Sequence, residues 1–214
     1  IVVCNGDEVA EIVFATTSEN DIAYSWSIDT EIGTQSLTGV GNIPLFEAEN
    51  IGTDPVVATV TVTPSNDETD PSLTCEGSSI EFTITVNPTA QVDPVDSLDL
   101  CNGDTAVVDF TTSNGGVDSV TTYSWEITGG DSVFVGGALS DVGNINLPVI
   151  NETNADLVAT ITVTPTYTND GVDCTGPSEE FTITVSPTAQ VEQVNDIVVC
   201  NGDEVAEIVF ATTS

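Results

Sequence analysis

The sequence predicts an all-β protein built from tandem Greek-key β-sandwiches. Three observations support this fold class: short segments in which apolar residues alternate with Thr, Ser and Glu, turn residues between those segments, and a repeat of about 98 residues. Strict alternation is typical of half-buried antiparallel strands. No segment shows the 3.6-residue apolar period of a helix. The chain therefore reads as strands joined by turns, repeated along its length.

The strand pattern is clearest near the end of each repeat. The segment EFTITV places Phe82, Ile84 and Val86 on one face and threonines on the other, and ATVTVTP alternates in the same way. Gly, Asn, Asp and Pro separate these segments at the spacing of turns. About seven strands in each repeat predict a sandwich of immunoglobulin-like type. The tryptophan of the YSW motif, at Trp26 and Trp125, is expected to pack in the core.

Repetition extends to the two ends of the chain. The first eighteen residues, IVVCNGDEVAEIVFATTS, return unchanged at Ile197–Ser214. The motifs CNGD, YSW and FTITV each recur about 98 residues later, so we expect a window of a longer tandem array. We predict one sandwich over residues 1–87, a second over 88–186, and the first strands of a third over 187–214. No Gly/Ser tract separates the repeats, which predicts a short and stiff linker.

Charge restricts the partners of this chain. It has 35 Asp and Glu residues, no Lys, no Arg and no His, and a net charge of −35 at pH 7. Nucleic acid is excluded as a partner because phosphate binding depends on cationic side chains, and docking on anionic lipid is disfavoured for the same reason. No apolar run is long enough to insert into a membrane. The partners we expect are neighbouring repeats of the same chain, with any surface or polysaccharide ligand bound by other regions.

The residue types present also argue against catalysis. Without His and Lys, no Ser–His, Cys–His or Ser–Lys pair can activate a nucleophile. Carboxylates remain, but the pattern scatters them over loops and strand faces and provides no paired acid and base. We predict that the chain is not an enzyme.

The five cysteines allow two pairing schemes. Disulfides within each repeat would join Cys4 to Cys75 and Cys101 to Cys174, and would leave Cys200 to pair outside the window. The rival scheme joins Cys75 to Cys101 and Cys174 to Cys200. We favour the first scheme, because the second has to span a long distance. The first scheme has its own difficulty, since in a standard sandwich its two loops lie at opposite ends. Either scheme implies an oxidising, exported location.

Calcium is the one metal for which the sequence offers ligands. Zinc is excluded by the absence of His and of a CxxC pair. Acid-rich segments supply the hard oxygen ligands that Ca²⁺ prefers, and a solvated acidic surface is the alternative explanation. No other cofactor is expected. The candidate ligands are the acidic segment Asp67–Asp70 and the residues Asp93, Asp96, Asp99, Asp170 and Asp173.

Together the motifs identify a resemblance. The order CNGD, TYSW, ATITVTP and EFTITVNPTAQV, with a second cysteine before the last motif, resembles the PKD-like, immunoglobulin-like repeats of giant surface proteins of Bacteroidota, gliding-motility adhesins among them. The resemblance covers essentially the whole window. YSW stands where a standard PKD domain has its Trp-Asp-Phe-Gly-Asp core, so the chain is similar to PKD-like relatives. The resemblance implies type IX secretion, display as long surface filaments, and no catalytic residues.

From this resemblance we expect a structural stalk repeat of a secreted cell-surface adhesin filament that serves gliding motility and surface attachment. One alternative is an adhesive module that binds a polysaccharide or a surface protein. Another is a spacer in a large secreted enzyme. The chain has only two Trp and three Tyr, and both Trp are expected in the core. This shortage of surface aromatic residues favours the spacer role over sugar binding.

Two kinds of glycosylation motif occur. Several triplets consist of Asp, then Ser or Thr, then an aliphatic residue, and are similar to the O-glycosylation motif of Bacteroidota. They place candidate sites at Ser97, Thr105, Ser119 and Ser132. Asn151 begins an Asn-Glu-Thr sequon, which has meaning only in a eukaryotic secretory pathway. We expect Asn151 to be unmodified.

Overall fold

The protein is made of β-strands and connecting turns. A computed structural model describes residues 1–15, 22–34, 36–66 and 75–212. Within these ranges the chain forms strands and no helix, which confirms the all-β prediction. The described residues therefore include no helix that is long and apolar enough to cross a membrane.

The described part of the first repeat forms two sheets. The larger sheet has the strand order β1-β7-β6-β3-β4, and β2 pairs with β5 in the smaller one. β1 runs parallel to β7, whereas β7 and β3 each run antiparallel to the long strand β6. The strands are β1 (Val2–Cys4), β2 (Glu8–Val9), β3 (Ile22–Ile28), β4 (Thr38–Val40), β5 (Phe46–Glu47), β6 (Val56–Asn66) and β7 (Ile80–Asn87).

Both sheets of the first repeat contribute to one core. Val60 of β6 and Ile84 of β7 are fully buried, as their alternation predicts, and Trp26 of β3 is 7% exposed. These side chains pack in one cluster with Val9 and Phe46 from the smaller sheet. Two sheets that share a core form a β-sandwich. The predicted core position of the tryptophan is confirmed, while the immunoglobulin-like type stays a prediction.

The second repeat has the same strand order with one addition. Its main sheet runs β11-β10-β13-β15-β8, β9 pairs with β12, and β14 forms a hairpin with the end of β13. That hairpin turns at Asp170 and Gly171, whose φ angles of 48° and 75° fit a two-residue turn. The strands are β8 (Leu98–Cys101), β9 (Thr105–Val108), β10 (Val120–Gly130), β11 (Ser140–Val142), β12 (Ile145–Pro148), β13 (Leu157–Asn169), β14 (Val172–Thr175) and β15 (Glu179–Ser186).

The chain divides into two compact units that do not follow the sequence repeats. The first unit contains Ile1–Asp93 together with two segments of the second repeat, Thr111–Thr122 and Thr164–Pro177. The second unit contains Pro94–Phe110, Tyr123–Val163 and Ser178–Ser214. One end of the second repeat is thus packed with the first repeat. The sandwich boundaries after residues 87 and 186 stay predictions based on the sequence.

The second copy of the opening segment has a different structure from the first. Residues 197–212 belong to no strand, although the same sequence forms β1 and β2 at residues 2–9. β1 pairs with Thr85–Asn87, whereas Val198–Cys200 pair with no strand among the described residues. The start of a third repeat over residues 187–214 stays a prediction.

Candidate functional site

The CNGD motif forms a tight turn at the end of β1. The backbone N–H of Asp7 donates to the carbonyl of Cys4 over 3.1 Å, and the N–H of Cys4 donates to Oδ2 of Asp7 over 2.8 Å. Gly6 has a φ of 86°, which only glycine adopts at low cost. The turn fixes Cys4 at the end of β1, which is the edge strand of the larger sheet.

Asn5, inside this turn, ties it to the chain that leaves the sandwich. Its Nδ2 donates to Oγ1 of Thr89 over 2.9 Å, and its Oδ1 accepts from the N–H of Asn50 over 2.8 Å. The backbone N–H of Asn5 also donates to the carbonyl of Asn87 over 2.9 Å. Two of these hydrogen bonds hold the turn against the end of β7 and the start of the linker, and the third joins it to the segment before β6.

A buried asparagine supports the turn in each repeat. Asn151 is 2% exposed, and its Nδ2 donates to the carbonyls of Ala155 at 2.8 Å and Val185 at 2.6 Å. Asn50 makes the equivalent bonds in the first repeat. The amide of the Asn151 sequon is thus buried and hydrogen-bonded, and its modification state stays a prediction.

We expect Asn151→Ala to lower the free energy of unfolding by about 2–3 kcal/mol, because the carbonyl of Val185 would stay buried without a donor. The measurement is the midpoint of urea unfolding followed by circular dichroism. Asn146→Ala is the matched control, since Asn146 is exposed and its loss should cost less than about 0.5 kcal/mol. Equal losses in the two variants would contradict the structural role of Asn151.

The central feature of the first unit is a disulfide between Cys4 and Cys174, with a Cα–Cα distance of 5.5 Å and a sequence separation of 170 residues. It joins the CNGD turn of the first repeat to the late hairpin of the second, which we define as residues 164–177. The thiols of Cys101 and Cys200 are free. A disulfide is typical of proteins outside the cytoplasm, so the chain belongs to a non-cytoplasmic protein.

This pairing corrects the sequence prediction. Cys4 is bonded to Cys174, so the predicted pairs Cys4–Cys75 and Cys101–Cys174 are wrong, and the rival Cys174–Cys200 is wrong as well.

The length of β6 explains why the first predicted pair does not form. Cys4 lies beside Asn87, at the Val56 end of this strand. The carbonyl of Cys75 instead accepts from the N–H of Asn66 at the other end. Ten strand residues separate the two ends by roughly 30 Å, whereas a disulfide needs Cα atoms within about 7 Å.

A small apolar cluster encloses the disulfide. Ala90, Tyr167 and Cys174 are 0%, 1% and 2% exposed, and Cys4 and Val172 pack against them. The linker and the late hairpin approach closely here. A Cβ on Gly176 would collide with the carbonyl oxygen of Ala90.

Hydrogen bonds extend this contact on both sides of the cluster. Nδ2 of Asn169 donates to Oδ1 of Asn87 over 2.8 Å, and both side chains are buried. The hydroxyl of Tyr167 donates to the carbonyl of Gly115 over 2.8 Å, and Nδ2 of Asn114 donates to the carbonyl of Thr89 over 3.1 Å. Linker, loop and hairpin therefore form one packed structure around the disulfide, which we call the junction.

A single backbone cut anywhere between Cys4 and Cys174 should leave one covalent molecule. We expect limited digestion with an acid-specific protease to give one band on a non-reducing gel and two or more after reduction. Cys174→Ser should release the fragments without reductant, since nothing else would hold them covalently. Cuts after Cys174 release only C-terminal pieces in either case, so the bond would be contradicted by separation of the two halves of the unreduced parent protein after a single cut between Cys4 and Cys174.

The predicted calcium ligands are not brought together. In the described part of the chain, no group of three or more Cys, Asp or Glu residues could hold a metal ion. Oδ2 of Asp93 accepts from Thr111 over 2.7 Å, Oδ1 of Asp173 accepts from Thr168 over 2.7 Å, and Asp170 forms the hairpin turn. Asp96 and Asp99 join no such group, and the segment Asp67–Asp70 lies outside the described residues. The geometry gives the calcium hypothesis no support.

The candidate glycosylation residues have different environments. Thr105 and Ser132 are exposed. Oγ of Ser97 accepts a hydrogen bond from Oγ1 of Thr182 over 3.0 Å, and Oγ of Ser119 donates to the carbonyl of Gly115 over 3.1 Å. Modification at these four positions stays a prediction.

Some exposed carboxylates cap backbone groups. Oδ1 of Asp29 accepts from the N–H of Thr59 over 2.8 Å, and this hydrogen bond is the main cause that lowers the pKa of Asp29 below its usual value. A lowered folded-state pKa adds stability at neutral pH, and that stability is lost as the pH falls through this pKa. Protonation of Asp29 in acid therefore removes a small local contribution to the stability of the folded state.

Comparison with protein-family models and with curated proteins gives no match. The functional argument therefore depends on the junction. Sequence reasoning identified Cys4 and Cys174 but missed Asn5, Asn114 and Tyr167. The recurrence of Asn5 in all three CNGD motifs was the one available signal, and Tyr167 had none because Asn66 stands at the equivalent point of the first repeat.

Proposed function

We propose that this chain is a stalk segment of a long secreted cell-surface adhesin filament, which carries tension between the cell and a substratum during gliding and attachment. The observation that supports this role most is the Cys4–Cys174 disulfide. It joins a residue of the first repeat to a residue of the second repeat, 170 positions away.

The position of this bond determines how tension would pass. A load applied at the two ends of the chain enters at Cys4, crosses the two sulfur atoms and leaves at Cys174. The residues between them form a closed loop, and the loop cannot be extended while the bond is intact. Such a bypass has a clear use in a protein that is pulled along its length, and it has none in a freely diffusing binding module.

Composition supports the same role. A charge of −35 repels neighbouring copies and keeps long polymers soluble. The chain lacks the His and Lys residues that activate nucleophiles, which leaves a mechanical function as the simplest use of a repeated, covalently closed sandwich. The junction replaces a flexible linker, so adjacent repeats transmit load through packed contacts.

Live-cell labelling tests this proposal. An antibody raised against the folded chain is applied to intact cells of the source organism, with pre-immune serum as the control. Label that decorates the surface and travels along it would support a gliding adhesin. Stationary surface label would contradict the motility role, and label found only inside permeabilised cells would contradict the surface role altogether. Binding of the chain itself to a glycan array would favour the adhesive-module alternative.

A further inference from the structure

The CNGD turn of the second repeat repeats the geometry of the first. The N–H of Cys101 donates to Oδ2 of Asp104 over 2.8 Å, the same distance as from Cys4 to Asp7. Gly103 has a φ of 91°. The difference lies at sulfur: Cys4 is bonded, whereas Cys101 is exposed and has a free thiol.

The linker after the second repeat also starts like the first linker. Nδ2 of Asn102 donates to Oγ1 of Thr188 over 3.0 Å, as Asn5 does to Thr89 over 2.9 Å. The N–H of Asn102 donates to the carbonyl of Ser186 over 2.9 Å. The chain therefore leaves both sandwiches on the same path beside the cysteine.

The two linkers differ in what covers them. Ala90 and Val92 of the first linker are 0% and 8% exposed, and the late hairpin packs against Ala90. The equivalent Ala189 is exposed, and Val191 is 66% exposed. An apolar surface that is buried at the first junction is thus uncovered beside the free thiol of Cys101.

The segments that flank Cys75 make backbone contacts like those at the base of the late hairpin. The N–H of Gly77 donates to the carbonyl of Pro64 over 2.8 Å, and that of Gly176 to Pro165 over 3.1 Å. In both places the glycine follows two residues after the hairpin cysteine. These flanking residues are therefore held in the same way in the first repeat, where the equivalent cysteine is Cys75, which is exposed.

We propose that the surface formed by Cys101, Ala189 and Val191 binds the late hairpin of a further repeat copy, and that Cys101 forms a disulfide with the hairpin cysteine of that copy. Two thiols lose two protons and two electrons, which pass to a low-molecular-weight disulfide such as glutathione disulfide and release it as two thiols. This inference depends on the contacts of the first junction and is independent of the proposed surface role.

The consequence is a chain of overlapping loops. Cys101 lies inside the loop closed by Cys4 and Cys174, so its own bond would begin inside that loop and end beyond it. Each stretch of backbone between two junctions would then be bridged by at least one disulfide. No single backbone cut within such an array would separate it into two pieces.

The test uses the full chain extended at its end. Because residues 197–214 repeat residues 1–18, adding residues 19–93 of the same sequence after Ser214 completes a third repeat with no foreign junction. The extended chain carries Cys200→Ser, because Cys4 and Cys200 lie in identical peptides, and is oxidised with glutathione disulfide, cleaved without reduction and mapped by mass spectrometry. We expect the peptide of Cys101 to be linked to a peptide of Cys75, and the Cys4–Cys174 pair to be retained as the folding control.

Copy-specific variants identify which Cys75 takes part. Cys75→Ser in the added copy should abolish the linked pair completely, and Cys75→Ser in the original copy should leave it unchanged. If Cys75→Ser in the original copy abolished the linked pair and the same change in the added copy did not, Cys101 would be bonded to the original Cys75. That result would overturn the proposal. A free Cys101 thiol in the extended chain, with the Cys4–Cys174 pair intact, would overturn it as well.

Discussion

Replacing Cys4 by serine should increase the length of chain released when the protein is pulled from its two ends by about 600 Å. In the native chain the disulfide bypasses a stretch with a sequence separation of 170 residues, so unfolding can extend only the residues outside it. Without the bond the whole chain extends. The measurement is the contour length gained on unfolding in an optical trap, with handles at the first and last residues.

Two controls accompany the force measurement. Cys101→Ser removes a thiol that is free in this chain, so its contour length should equal that of the native protein. Adding a reductant to the native protein should reproduce the Cys4→Ser result. A native protein that releases its full contour length without reductant would show that load does not pass through the disulfide.

Cys174→Ser should lower the free energy of unfolding of the first unit by about 5 kcal/mol. The loop that the bond closes is long, and the entropy that a cross-link removes from the unfolded chain increases with loop length. The value is near the upper end for a single disulfide, and the buried cluster around Ala90 would lose packing as well. Guanidinium unfolding of oxidised native and variant chains, followed by circular dichroism, gives the difference.

Cys200→Ser is the matched control for stability. Cys200 is exposed and unbonded in this chain, and its segment forms no strand, so the variant should unfold like the native protein. Reduction should destabilise the native protein and leave Cys174→Ser unchanged. Equal stability of the native protein and Cys174→Ser would show that the bond is absent or that the unfolded state is already constrained.

The repeated opening segment shows how much of the fold is local. Both copies form the same turn: the N–H of Cys200 donates to Oδ2 of Asp203 over 2.9 Å, and Gly202 has a φ of 96°. The turn depends on a glycine and a nearby carboxylate, which the motif supplies. The strands on either side need partners much farther along the chain, Thr85–Asn87 for β1 and Phe46–Glu47 for β2, so the identical sequence forms them at residues 2–9 and not at residues 198–205. Alternation predicted strand-forming segments and could not predict whether their partners were present.

The candidate site was harder to predict for the same reason. The cysteines and their spacing were visible, but two equivalent schemes fitted that spacing equally well. Choosing the correct partner required the length of β6, which separates Cys75 from Cys4, and the packing of the late hairpin against Ala90. Both are properties of the folded chain. The contact between Tyr167 and Gly115 depends on a tyrosine that the first repeat replaces with Asn66, so repetition gave no indication of it.

The most direct test of this account is a disulfide map of the oxidised chain, made without reduction. It should be carried out on Cys200→Ser, because Cys4 and Cys200 lie in identical peptides. We predict that the peptide of Cys4 is linked to the peptide of Cys174. A link from Cys4 to the peptide of Cys75 would instead place the bond within the first repeat and would contradict the load path proposed for this chain.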